Sequence, residues 1–146
     1  MYEHILLSTE LLNESKVIED RAVALHKLIG AKLSIIHIVE PMPMMYAVGE
    51  SAIAYDFQDT TDALIKQANE KLSALKLQYD IPNAEIIIKH GYIGDEILTF
   101  ANKNNIDLII TGSHGRHGVR LLLGSTANAI LHGAKCDVMA VRIKDD

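Results

Sequence analysis

Four glycines and the small residues Ser125 and Thr126 set the chemistry of one stretch. Thr111-Gly112-Ser113-His114-Gly115-Arg116-His117-Gly118 runs on through Val119 to Leu123 and reaches Gly124-Ser125-Thr126. Glycine admits positive φ and a close approach of ligand to backbone. Successive amides in such turns make a concavity that takes an anion. Where a helix starts, free N–H groups add donors and a partial positive charge. The hydroxyls of Ser125 and Thr126 suit phosphate oxygens. Charge agrees: no aspartate or glutamate lies between Leu108 and Cys136, whereas Arg116, Arg120 and Lys135 do. Each carboxylate kept away from a phosphate avoids a repulsion of about 1 kcal/mol in water, and more when partly buried. A plainer reading, an ordinary strand-to-helix loop with a serine N-cap, accounts for Gly124-Ser125. It does not account for Gly112, Gly115 and Gly118 together with the missing acids. The stretch is neither a P-loop, which would end in Gly-Lys-Ser/Thr, nor a dinucleotide fingerprint, which would follow the first strand.

Other residue types with chemical potential carry less. His114, His117 and His132 have no cysteine or carboxylate near them in sequence to complete a metal site, so no metal is expected. His37, in an apolar run, reads as a satisfied core or sheet-end histidine. Met42, Met44 and Met45, interleaved with Pro41 and Pro43, fit either an adaptable apolar lid or partner surface or a plain connecting loop. Asp95-Glu96 suits a helix start. Cys136 has only Lys135 as a basic neighbour, which is weak ground for a redox role. Ser113 follows a glycine, but not in a nucleophile elbow. No nucleophile, base and acid form a set, so no catalytic residue is expected, and any ATP turnover is expected to be slow or absent.

The elements that must position these residues alternate strand and helix, the pattern of βαβ units and a parallel sheet. Strands are expected at His4–Thr9, Lys32–Val39, Glu85–Lys89, Asp107–Thr111 and Asp137–Ile143. The Leu108-Ile109-Ile110 run is apolar on both faces and so belongs at the centre of the sheet. Asn13 offers an N-cap to a first helix carrying Val17, Ile18, Ala22, Leu25, Leu28 and Ile29, and Gly30 ends it. A long helix over Tyr55–Tyr79 presents Phe57, Leu64, Ala68, Leu72, Leu75 and Tyr79 on one face. A third spans Ile93–Asn104, with Ile93, Ile97, Leu98 and Ala101 inward. A fourth runs from Ser125 to His132 and stops at Gly133. Five strands and four helices make one domain over 1–146. Ligands of such sheets collect beyond the strands' carboxyl ends, which selects the loops 9–13, 40–54 and 112–124.

Composition bounds the reading. The chain has 146 residues, 49% of them hydrophobic, and a net charge of −5. It is long enough for a core without staples and too acidic for general nucleic-acid binding. A single cysteine rules out an internal disulfide and fits a reducing compartment. The N-terminus lacks a basic, then apolar, leader, and no apolar run approaches a membrane span. A cytoplasmic protein with no membrane partner is expected.

Gly112-Ser-His-Gly115, a variable stretch and Gly124-Ser125 resemble the nucleotide motif of the universal stress protein family. Tyr2-Glu-His-Ile-Leu-Leu is similar to that family's first strand, Leu33-Ser-Ile-Ile-His37-Ile38 to its second, Asp107-Leu-Ile-Ile-Thr-Gly to its fourth, and Ala134-Lys-Cys-Asp-Val-Met-Ala-Val141 to its last. The resemblance implies a single-domain, Rossmann-like, doubly wound α/β sheet of order 3-2-1-4-5 with helices on both faces. It also implies a homodimer through the last strand, Asp137 to Ile143. In the family's nucleotide-binding branch, ATP lies over the sheet, in some cases with Mg²⁺. The phosphates would then meet Gly112, Ser113, Gly115, Arg116, Gly124, Ser125 and Thr126. Adenine and ribose would meet Ser8, Thr9, Glu10, Ile38 and Thr111. The interval Arg116–Leu123 is one residue shorter than the family's usual one. Glu10 stands where the family commonly has aspartate, keeping the charge on an arm longer by a methylene. A second branch lacks the glycines, and this chain keeps them.

The leading expectation is therefore a dimeric, ATP-binding protein of regulatory or stress-survival role. A dimeric interaction module without nucleotide and a slow ATPase are the alternatives.

Overall fold

The computed structural model describes residues 1–41, 52–114 and 123–143, and the side chains of all of these but 52–58. The strands are β1 (His4–Ser8), β2 (Lys32–Val39), β3 (Glu85–His90), β4 (Leu108–Gly112) and β5 (Asp137–Val141). The helices are α1 (Lys16–Ile29), α2 (Ala52–Gln78), α3 (Ile93–Lys103) and α4 (Ser125–Gly133). All strand pairs are parallel, in the order β3-β2-β1-β4-β5. The expected fold is the observed one.

The sheet is covered on both sides because its central strands are apolar on both faces. Ile5, Leu7, Leu33, Ile35, Leu108 and Ile110 pack with Ile18 and Ala22 of α1 and Leu72 and Leu75 of α2. The alternate residues Leu6, Ile36, Ile38 and Ile109 pack with Ile97 and Ala101 of α3 and Ile130 of α4. Burying each such aliphatic side chain stabilises the fold by about 1.5–3 kcal/mol. α1 ends where expected: Gly30 takes φ 73°, and its N–H bonds the His26 carbonyl at 2.9 Å.

Several expected details differ. Asn13 does not cap α1; it opens a 3₁₀ turn, Asn13–Ser15, whose Ser15 hydroxyl accepts the Leu12 N–H at 3.3 Å. α2 starts earlier, at Ala52, within the stretch expected to be loop. Its Leu64 is 41% exposed, and Leu28 of α1 is 82% exposed. Each sits at the margin of an apolar stripe, where periodicity alone does not say how far the sheet reaches. Phe57, on the same expected face, lies outside the described side chains. β4 is shifted by one residue, so that Gly112 pairs with Val141 inside the sheet. β5 ends at Val141, although Ile143 beyond it still packs on the core.

Candidate functional site at the carboxyl edge

In the order 3-2-1-4-5, the chain leaves β1 and β4 toward opposite faces of the sheet, and the crevice between them is where such sheets take ligands. Two described segments line it, 9–11 after β1 and 113–114 after β4.

The β1 exit is organised by Thr9, which is 3% exposed. Its N–H bonds the Ile36 carbonyl at 3.1 Å, continuing the ladder past the end of the strand. Its carbonyl lies 2.9 Å from Nδ1 of His37, which makes that nitrogen the protonated one. Its hydroxyl donates to Glu19 Oε1 at 2.8 Å and accepts the Leu11 N–H at 3.1 Å. Leu11 has φ 58°, the left-handed region, which costs a side chain with a Cβ about 1–2 kcal/mol. Packing of Leu11 against the core and the bond to Thr9 offset that cost. Glu10, half-buried, is carried between these two residues at the mouth of the crevice. Glu19 is 8% exposed. Burial pushes its carboxyl above the usual range, the Thr9 hydroxyl opposes that, and Asp20 adds to it while Lys16 counters.

The β4 exit is tied at both ends. The Ser113 N–H bonds the Val141 carbonyl, and the Ser113 carbonyl accepts the Gly124 N–H, both at 2.8 Å. The second bond brings the start of α4 to the end of β4. No side chain caps α4. Its first carbonyl acceptor, on Gly124, takes the Asn128 N–H at 2.9 Å. The amides of Ser125, Thr126 and Ala127 precede that bond and so have no acceptor within the helix. Ser113 Oγ is buried and finds no partner among the described residues. Such a group costs about 1–3 kcal/mol unless something bonds it.

Gly112 acts by size. Gly112 and Gly124 do not take positive φ. A Cβ at Gly112 would stand 2.8 Å from Cδ1 of Ile18 and 3.3 Å from Cδ1 of Ile143. The close approach is thus to α1 and to the segment after β5. Gly115, Arg116, His117, Gly118 and Arg120 lie outside the described residues.

The residues expected around adenine and ribose divide between the faces. Thr9 points to the α1 side, where Glu19 meets it. Ile38 belongs to the α3–α4 side, as do Ser8 and Thr111 by strand alternation. The register Leu7↔Ile110 carries Ser8 alongside Thr111 one residue on. Thr111 is buried, whereas Ser8 is partly accessible. Ser125 is exposed and Thr126 half-buried. Glu19 escaped the sequence reading, since nothing local ties a glutamate in a helix to a threonine ending a strand.

The opposite, amino edge of the sheet holds a shallow depression lined by Tyr2, Asp107, Lys135, Cys136 and Asp137. Its polar groups serve the fold. Asp107 accepts the N–H groups of Glu3 and His4 at 2.7 and 3.1 Å, and Asp137 accepts the Tyr2 hydroxyl at 2.8 Å. Burial, and then Asp107 and Asp137, push the Cys136 thiol up, which disfavours a reactive thiolate. Among the described residues, no three histidines, cysteines or carboxylates gather as a metal group, and no helix is long and apolar enough to cross a membrane.

Comparison with known proteins gives one family. Its sequence model, described as the universal stress protein family, matches residues 1–142. Universal stress protein A homolog 2 of Coxiella burnetii is 41% identical over 144 residues, 98% of this chain and 97% of the relative. Homolog 1 of the same organism is 36% identical, covering 99% of each. Among solved structures, UspA from Lactobacillus plantarum aligns with a TM-score of 0.83 at 22% identity, over 98% of both chains. A universal stress protein solved in complex with cAMP aligns at 0.64, also with 22% identity and 98% of both chains.

Proposed function

The chain belongs to the universal stress protein family, and from that premise we propose that it binds an adenine nucleotide, ATP with or without Mg²⁺, at the crevice between the exits of β1 and β4. The role is regulatory or in stress survival, exerted in the cytoplasm by a homodimer joined through Asp137–Ile143.

The observation that carries this reading is the bond from the Gly124 N–H to the Ser113 carbonyl. It sets the uncapped start of α4 beside the partnerless Ser113 hydroxyl. Helix-start donors without acceptors in the helix, in a stretch free of carboxylates, suit an anion. Ser113, Gly124, Ser125 and Thr126 would hold the phosphates, with Gly112, Gly115 and Arg116 from the same stretch. Ser8, Ile38 and Thr111 would stand toward the adenine and Glu10 toward the ribose. The hydroxyl of Thr9 is engaged with Glu19 and Leu11 and its backbone with Ile36 and His37, so Thr9 would contribute by position. The neighbour solved with cAMP supports the ligand class, since cAMP is itself an adenine nucleotide. The reading is of binding, with hydrolysis slow or absent.

Calorimetric titration with ATP tests this, comparing the natural chain with Gly115→Val and Ser113→Ala. Loss of about tenfold or more in affinity is expected for each. Equal affinities throughout would dispose of the site. Mass spectrometry of the purified, denatured protein should find adenine nucleotide.

The edge strand β5 favours a second reading, a dimeric interaction module. On it Met139 is 39% exposed and Ala140 is also exposed. Millimolar ATP would then leave the melting temperature where it was.

A further inference from the structure

Glu19 lies on the face of α1 that packs against the sheet, next to Ile18 and one turn before Ala22 and Val23, all buried. An aliphatic residue there would extend the apolar stripe. A carboxylate weakens that burial and must find a donor, since buried ionisable groups persist only when bonded. The donor is Thr9, whose hydroxyl has one proton and gives it to Glu19 Oε1 at 2.8 Å.

The direction of that proton orients the whole turn. With it committed to Glu19, the Thr9 oxygen turns its lone pairs to the Leu11 N–H. The backbone N–H and carbonyl of Thr9 are fixed by Ile36 and His37. Every polar group of Thr9 is thus engaged, and the left-handed Leu11 is the outcome. Without an acceptor at position 19, the hydroxyl is free to turn, and the Leu11 amide loses its aimed partner. Glu10 stands between the two residues this arrangement fixes.

Resting on the nucleotide reading above, we propose that Glu19 is a positioning residue for that site. Through Thr9 it holds the turn at Leu11 and so sets where Glu10 meets the ribose. The phosphate end is assembled from β4 and α4 through Ser113 and Gly124, in which Glu19 has no part. Glu19 therefore governs recognition of the nucleoside and leaves recognition of the phosphate chain alone.

Inorganic tripolyphosphate separates the two, as it has the phosphates of ATP and no nucleoside. The full chain, Glu19→Ala, Glu19→Gln and Thr9→Val would each be titrated with ATP and with tripolyphosphate, and hydrogen exchange followed at the Leu11 amide. Glu19→Ala and Thr9→Val should each weaken ATP about tenfold, the loss of one directed hydrogen bond. Tripolyphosphate affinity should stay unchanged, and Leu11 exchange should quicken by about the same factor. Glu19→Gln, whose amide oxygen accepts the same bond, should stay within about twofold of the natural chain in both readouts. If Glu19→Ala fails to fold, Thr9→Val makes the same test. A folded Glu19→Ala that keeps its ATP affinity, or loses both ligands alike, overturns the role of Glu19 and leaves the nucleotide reading standing. A natural chain that binds neither ligand overturns the nucleotide reading itself, and the role of Glu19 with it.

Discussion

The backbone N–H of Gly124 donates to the carbonyl of Ser113 at 2.8 Å. That contact fixes where the stretch after β4 ends. It returns the chain to the edge it left, at the start of α4. The Ser113 N–H in turn donates to the Val141 carbonyl, so the same residue is held from β5 and from α4. Its hydroxyl is then the group left without a partner among the described residues.

Replacing Ser113 by alanine should therefore separate stability from binding. Removing a buried hydroxyl that lacks a partner should leave stability unchanged or raise it by about 1 kcal/mol. ATP affinity should fall about tenfold, equivalent to about 1.4 kcal/mol. Denaturant melts and calorimetry on one preparation check both. A less stable variant with undiminished affinity would mean that the hydroxyl serves the fold.

Gly112→Ala should destabilise the chain by about 1 kcal/mol, because the added Cβ would fall 2.8 Å from Ile18 Cδ1 and the end of that side chain must shift. Ile18→Val removes that δ carbon. In the double variant the two changes should compensate, with a coupling of about 1 kcal/mol or more in a double-mutant cycle. Strict additivity would place the strain elsewhere.

The pH dependence of Glu19 has a definite sign. Its carboxyl is raised above the usual 4.5, first by burial, so the folded chain keeps a proton that the unfolded chain has released. The ionised form costs stability above the folded-state value, and that cost is relieved as pH falls through it. The charged or titratable groups acting on it are Lys16 and Asp20 on α1 and Tyr79 just after α2. Glu19→Gln should therefore be more stable than the natural chain at pH 7, with the gap closing toward pH 4.5. Urea melts across that range read it directly. A gap that widens on acidification would contradict it.

If β5 is the dimer surface, a charge at Met139 should break it. Met139→Lys is expected to shift sedimentation velocity from dimer to monomer, since an edge lysine opposes strand pairing. The side chain is already 39% exposed in the single chain, so the fold itself should lose little.

Saturation with nucleotide should stabilise the chain by mass action. At about 100 times the dissociation constant, the gain is about 2.7 kcal/mol, visible as a rise in melting temperature that Gly115→Val abolishes.

The run Leu108-Ile109-Ile110 by itself declared a central, doubly buried strand, because only a sheet covered on both faces gives such residues a home. Alternation of apolar runs and helical stripes fixed the number and order of elements, and Gly30 marked a helix end through its tolerance of positive φ. The glycines and absent acids of the 112–126 stretch pointed to an anion. Tertiary structure alone decided the rest. It put Asn13 in a 3₁₀ turn, left Leu28 and Leu64 outside the core, and gave Gly112 its reason in the δ carbon of Ile18. It also joined Glu19 to Thr9 and set Ser113 without a partner beside α4. Periodicity says which residues of one element share a face. What meets that face comes from elements distant in sequence, and a hydrogen bond requires knowing both.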